Sequence, residues 1–171
     1  MSSISIRFAV PEDAALIAEL SQQTFLETFA DQNSKENMDK FMNETFSRQK
    51  LMSEVNMTGN IFLLAYSDQA AVGYVRMREN NLPGQAGSGA FEIARIYATA
   101  NTVGKGVGRL LMQHCIDIAR EKGKELLWLG VWEHNYRAIE FYKKWGFEKF
   151  STHTFMLGDD PQTDWLMKKE L

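Results

Sequence analysis

The stretch from Phe91 to Leu111 leaves the chain little freedom. An apolar run, Phe91 to Ala98 (FEIARIYA), leads into Thr102-Val103-Gly104-Lys105-Gly106-Val107-Gly108-Arg109. A run follows at once in which Val107, Leu110, Leu111, Cys115, Ile118 and Ala119 recur at helical spacing. A buried strand, a glycine turn and an amphipathic helix in that order require a sheet with a helix packed on it. Glycine lets a backbone come close to a ligand and take angles other residues avoid. The first turn of a helix leaves amide N–H groups unpaired and carries the positive end of the dipole. Such a loop suits a phosphate or pyrophosphate, and Lys105 and Arg109, four apart, are spaced to face one anion. A plain strand-to-helix turn would use the same glycines. The loop is not a P-loop, because no Gly-Lys-Ser/Thr ends it, and it lacks the G-x-G-x-x-G of a dinucleotide fingerprint.

The rest of the chain supplies the sheet. Ile4, Ile6 and Phe8 alternate with Ser5 and Arg7, which predicts a first strand over residues 3–10. Pro11 opens a helix with Glu12 and Asp13 in its first turn, and Leu16, Ile17, Leu20, Thr24, Phe25 and Phe29 form its buried stripe. A second helix opens at Ser34, striped by Met38, Phe41, Met42 and Phe46, and a third is expected over residues 47–57. Strands are predicted at 60–67 and 70–78, joined as a hairpin through Asp68-Gln69, and at 91–98. The glycine-rich segment 80–89 reads as a connection between strands. The loop helix runs over 107–122 and stops at Gly123; a strand at 125–133, a helix at 135–145 ended by Gly146, and strands at 147–157 and 164–170 complete the order. The fold class is therefore mixed α/β, a sheet covered by helices.

The 171 residues are read as a single domain, 1–171, with 44% hydrophobic and 24% charged residues and a net charge of −3. A strongly basic nucleic-acid surface is not expected. No apolar run approaches the ~20 residues of a membrane span, and MSSISIRFAV has no secretory pattern. The lone Cys115 excludes an intrachain disulfide and suits a reducing, cytoplasmic location. Cys and His are too few for a protein-built zinc site, and no metal is expected, although carboxylates alone leave a metal open.

A second motif changes the odds. After the strand ELLWLGVWE comes Asn135-x-x-Ala138-x-x-x-Tyr142-x-x-x-Gly146-Phe147, with Ala138 and Tyr142 on one helix face. Together with the glycine loop it resembles the GCN-five-related N-acetyltransferases (GNAT), which move an acetyl group from acetyl-CoA to an amine. Their pyrophosphate loop is Gln/Arg-x-x-Gly-x-Gly/Ala; Gly106-Val107-Gly108 match, and Val103 departs at the first position. DQNSKENM, WLGVWEHN, AIEFYKKWGF and GDDPQTDWLMKKEL extend the likeness, over nearly the whole chain, to the PaiA-type spermidine/spermine N-acetyltransferases. The resemblance implies a GNAT fold, a mostly antiparallel sheet of about seven strands flanked by helices. It implies acetyl-CoA as cosubstrate, direct transfer in a ternary complex, and a small amine acceptor, a polyamine first; a homodimer also fits.

The resemblance gives residues their roles. Gly104, Lys105, Gly106, Val107, Gly108 and Arg109 would hold the pyrophosphate, and the backbone of Ile96, Tyr97 and Ala98 would pair with the pantetheine arm. Asn135 would hold that arm from the other side, or serve only as a helix N-cap. Tyr142 would be the general acid that protonates the leaving sulfur; without the motif it would be an ordinary buried aromatic. Glu92, a carboxylate in an apolar strand, is the candidate base; otherwise it is a strand-edge Glu in solvent or paired with Arg95, and a water chain would take the proton. A polyamine calls for acids, and Glu27 and Asp31, four apart on the first helix, and Glu133 are the candidates, with Asp159, Asp160 and Asp164 near the same end. Exposed acids are also what any solvated face carries. Cys115 reads as a core residue and His134 as a surface residue at the mouth of the site. Other acceptors (an antibiotic, an amino acid, a protein N-terminus) or a CoA-binding regulator without turnover are the alternatives.

Overall fold

The computed structural model describes residues 2–171. The strands are β1 (Ile4–Phe8), β2 (Asn60–Ser67), β3 (Ala70–Glu79), β4 (Ala90–Ala98), β5 (Leu126–Trp132), β6 (Glu148–Leu157) and β7 (Asp160–Glu170). They form one sheet in the order β1-β2-β3-β4-β5-β7-β6, and every neighbouring pair is antiparallel except β4 with β5. The helices are α1 (Ala14–Phe29), α2 (Lys35–Glu44), α3 (Arg48–Val55), α4 (Val107–Glu121) and α5 (Tyr136–Lys144).

Side chains alternate across a strand, and that period sorts the core onto two faces. Leu63, Ala65, Val75, Met77, Leu127 and Leu129 point to the side where Leu111, Cys115 and Ala119 of α4 and Ile139 and Tyr142 of α5 close the core. Phe62, Leu64 and Tyr74 point the other way, against Ile17 and Leu20 of α1. On that second face Phe25 and Phe29 of α1 stack with Phe41 of α2 and reach Trp132 of β5. No described helix is long and apolar enough to cross a membrane.

One feature of the sheet positions the site. β4 and β5 pair only over Ala90–Glu92 against Leu126–Trp128 and then separate. The register between β3 and β4 shifts at Arg76/Met77, so Ala94 has no partner there. A bulge of this kind bends its strand. The outer half of β4, from Ala94 to Ala98, is left half-buried along one edge of a wedge, and β5 forms the other.

Four expectations are corrected. The residues from Pro11 to Asp13 form a 3-10 turn, and the α-helix begins at Ala14. Asp31 lies in a second 3-10 turn, Ala30–Gln32, beyond the end of α1, so it does not share an α-helical face with Glu27. On α4 Leu110 is half-buried, whereas Met112 and Ile116 are in the core. The last strand starts at Asp160, not Asp164. Gly158, at φ +63°, makes the tight turn from β6, and Pro161 is tolerated because β5 pairs with β7 only as far as Asp164. The remaining predicted elements are present within a residue or two of their expected ends.

Candidate active site

The glycine loop ends in a conformation that only glycine takes easily. Gly104 has φ +81° and Gly106, the N-cap of α4, φ +92°. A β-carbon built on either meets no atom within 4 Å, so the space above the loop is open. The loop is tied down from below. Thr102 is buried and donates to the Thr99 carbonyl at 2.9 Å, and Lys105 N–H donates to the Thr102 carbonyl at 3.1 Å. The first amides of α4 therefore face an unfilled space beside Lys105 and Arg109, which fits a pyrophosphate.

Glu27 has a definite task here. Its Oε2 accepts the Ala100 N–H at 2.8 Å and its Oε1 accepts from Gln23 at 2.9 Å. The carboxylate thus fastens α1 to the 3-10 turn, Ala100–Thr102, that precedes the glycine loop. The contact joins residues far apart in sequence, and no local pattern announces it. Asn135 caps α5, its Oδ1 accepting the Ala138 N–H at 3.3 Å. Ile96, Tyr97 and Ala98 lie on the open edge of β4, past the last pair with β5.

Tyr142 sits in the core face of α5, edge-on to Phe147 with ring centroids 5.9 Å apart. Burial holds its hydroxyl far above the usual range, so it is a neutral donor at any physiological pH. Tyr97 stacks near Tyr74 on the opposite face, 6.1 Å between centroids. Burial raises its hydroxyl as well, with Tyr142 and Asp164 adding to the effect. Cys115 is fully buried and its thiol is pushed up by burial, which leaves it inert as a nucleophile.

Glu92 occupies the last rung that joins β4 to β5, opposite Trp128. It pairs with Arg78, whose Nε donates to Oε2 and whose Nη2 donates to Oε1 at 3.3 Å; Asn80 adds a bond of 2.9 Å to Oε2. The expected partner Arg95 is engaged elsewhere, 2.7 Å from Glu54 on α3.

The acids at the open end differ in availability. A cleft of about 350 Å³ is lined by Trp132, Glu133, His134 and Asp160. His134 lies edge-on to Trp132 and 3.6 Å from the Glu133 carboxylate. Asp159 is committed to Lys40, at 2.6 Å. Asp31 does not line the cleft, although its neighbour Gln32 does. Asp164 sits deeper, its Oδ2 3.4 Å from where a β-carbon on Gly130 would stand. Burial pushes the Asp164 carboxyl up to about 6. A carboxyl raised on folding contributes most below the unfolded pKa, near 4, and that contribution is lost as pH rises through about 6. Asp164→Asn is therefore expected to raise Tm at pH 8 by roughly 5 °C, and by much less at pH 4. Equal gains at both pH values in thermal melts would refute the ionisation cost.

The descriptive model of the acetyltransferase (GNAT) family matches residues 17–147. The chain belongs to the GNAT family. An uncharacterised N-acetyltransferase of Lactobacillus delbrueckii subsp. lactis is 36% identical over 172 aligned positions, covering 100% of this chain and 99% of that protein. The spermidine N(1)-acetyltransferase of Thermoplasma acidophilum is 25% identical, covering 98% of each. The fold is that of the PaiA N-acetyltransferase of Thermoplasma acidophilum, crystallised with coenzyme A: TM-score 0.80 at 24% identity, with 99% of each chain covered. This GNAT protein is an N-acetyltransferase that uses acetyl-CoA. The wedge and the open glycine loop are features an extended acyl carrier with a pyrophosphate would fit. Among the described residues no group of three or more His, Cys, Asp or Glu is placed to hold a metal.

Gly106→Val tests the loop. The substitution forces a β-branched residue to φ +92° and adds a side chain where the anion would approach, with no clash inside the protein. Acetyl-CoA affinity is expected to fall at least roughly tenfold, ~1.4 kcal/mol, by calorimetry. Unchanged affinity would make the loop structural only.

Proposed function

We propose that this GNAT enzyme acetylates a polyamine such as spermidine or spermine by direct attack on acetyl-CoA in a ternary complex. The observation that carries the acceptor class is the cleft at the open end of the wedge. Glu133 and Asp160 line it with Trp132, and Asp164 of β7 pairs in register with Trp132. Two carboxylates lining one groove, with a third nearby, match a chain of ammonium groups. The name of the Thermoplasma relative points the same way.

In this reading the glycine loop, Lys105 and Arg109 bind the pyrophosphate. The free edge of β4 at Ile96, Tyr97 and Ala98 pairs with the pantetheine arm, opposite Asn135. An amine with a pKa near 10 is protonated at pH 7, and losing that proton costs about 4 kcal/mol. A carboxylate on the acceptor face lowers that cost, directly or through water; Glu92 is the candidate the sequence offers. Tyr142 protonates the departing sulfur. Glu27 serves the reaction by holding the loop, through its bond to Ala100.

A second reading has one observation behind it. Arg76 and Arg95 share the single carboxylate of Glu54, and Nη1 of Arg95 is buried without a partner. This excess of positive charge on the acceptor face favours an acceptor that carries a carboxylate, such as an amino acid. Comparing kcat/KM for spermidine with that for a panel of amino acids separates the two. A preference of at least tenfold for spermidine is expected; the reverse preference would move the acceptor class.

A further inference from the structure

We infer that Asp164 is the group that takes the proton from the attacking amine. The inference rests on the reading of this protein as an amine acetyltransferase and gives the deprotonation step to Asp164 in place of Glu92. Three observations place it. First, Asp164 stands at the last rung between β7 and β5, opposite Trp132, which lines the acceptor cleft. Second, its carboxylate is enclosed yet uncommitted. Its side chain is about 20% exposed, and its one ionisable neighbour within 4 Å among the described residues is His153 of β6, with Nδ1 3.9 Å from Oδ2, beyond hydrogen-bond reach. Glu92, in contrast, is held by Arg78 and Asn80. Third, Asp164 Oδ2 lies 3.4 Å from where a β-carbon on Gly130 would stand, and Gly130 is past the last rung shared by β4 and β5, on the β5 edge of the wedge in which the thioester would lie.

The surroundings give Asp164 proton affinity suited to the task. β5 offers it Gly130, which has no side chain, and the apolar ring of Trp132; β7 adds Leu166 on the same face. The titratable groups facing it are His153 on β6 and Tyr97 on β4. Desolvation raises the carboxyl to about 6, against which His153 acts weakly. A base in that range is ionised at pH 7 and still accepts a proton far better than an ordinary aspartate.

The step balances. The ammonium gives one proton to the Asp164 carboxylate, and the freed nitrogen lone pair forms a C–N bond to the acetyl carbonyl carbon. The tetrahedral adduct collapses with cleavage of the C–S bond, and the Tyr142 hydroxyl protonates the leaving sulfur. The second proton lost from nitrogen restores the Tyr142 phenol through solvent, and Asp164 releases its proton to solvent. The sum is one ammonium and one acetyl-CoA converted to one amide, one CoA thiol and one proton.

The test has two arms that fail separately. In the first, side-chain carboxyls of the wild-type protein are titrated by carbon-13 NMR, and the Asp164 resonance is assigned by its loss in Asp164→Asn. A midpoint near 6 is expected; a midpoint in the ordinary range, near 4, would overturn the proposal whatever the acceptor. In the second, thiol release is followed over pH 5–9 with spermidine, or with whichever amine of a panel is turned over. Asp164→Asn is expected to lower kcat roughly 100- to 10,000-fold, to abolish the rise of kcat/KM through about pH 6, and to leave acetyl-CoA affinity by calorimetry within about threefold. A loss confined to KM would make Asp164 a binding group only. An acidic limb that survives in Asp164→Asn and disappears in Glu92→Gln would give the role to Glu92. Absence of turnover with every amine in the wild type would defeat the functional reading itself, while the NMR midpoint would still decide the state of Asp164.

Discussion

Tyr142→Phe is expected to lower kcat roughly 10- to 1,000-fold while leaving acetyl-CoA affinity unchanged. The substitution removes one oxygen and keeps the ring, so the contacts with Phe147 and Phe141 persist and the fold is retained. What is lost is a proton donor. Burial holds the Tyr142 hydroxyl neutral across the whole working pH range, which is the state an acid needs. In the proposed reaction the group it protonates is a thiolate, whose conjugate acid has a pKa of about 8.5. A thiolate is a moderate leaving group even without help, which places the effect below the upper end of general-acid catalysis. Steady-state kinetics with calorimetry in parallel decides the matter. Wild-type kcat in the variant would remove Tyr142 from the mechanism, and a rise in the acetyl-CoA Kd without a change in kcat would make it a binding residue.

Gly73→Ala is expected to destabilise the fold by about 1–3 kcal/mol, a fall in Tm of roughly 5–10 °C for a chain of this length. Gly73 has an ordinary φ, so the objection is steric, not conformational. Its β-carbon would stand 2.8 Å from the Tyr97 carbonyl oxygen, 3.0 Å from Val107 Cγ1 and 3.3 Å from Leu111 Cδ1. The bare backbone of β3 is what lets the first turn of α4 sit close to the sheet. The colliding groups belong to the site: the Tyr97 carbonyl is on the edge proposed to pair with pantetheine, and Val107 opens the helix behind the glycine loop. Weaker acetyl-CoA binding should therefore accompany the loss of stability. Thermal melts that match wild type would show that α4 shifts without cost, and the packing account of Gly73 would be wrong.

The parts of this molecule legible in the sequence are those encoded locally. Gly104 and Gly106 announce the turn into α4, because few residues accept φ near +90°. Asn135 signals the start of α5 through an N-cap that the structure contains. The failures arise where partners are distant or where one residue changes the count. Pro161 reads as a break, yet it lies in β7 beyond the end of β5, where only β6 is paired. The Ala94 bulge brings Glu92 and Arg95 to the same face, an arrangement the plain alternation of FEIARIYA does not suggest. Even so, each finds a separate partner, Arg78 on β3 and Glu54 on α3. The enclosure of Asp164 depends on Gly130, Trp132 and His153, contributed by two other strands. No local pattern around TDWLM reveals that this acid differs from Asp159 or Asp160.

Acetyl transfer to an amine is tested most directly by release of free thiol from acetyl-CoA, with spermine, spermidine, putrescine and a set of unrelated amines and amino acids as acceptors. Saturable turnover confined to the polyamines, with product masses raised by one acetyl group, is the expected result. Turnover of an amino acid in preference to every polyamine would contradict the acidic cleft as the acceptor site, and silence on all acceptors with acetyl-CoA still bound would contradict catalysis itself.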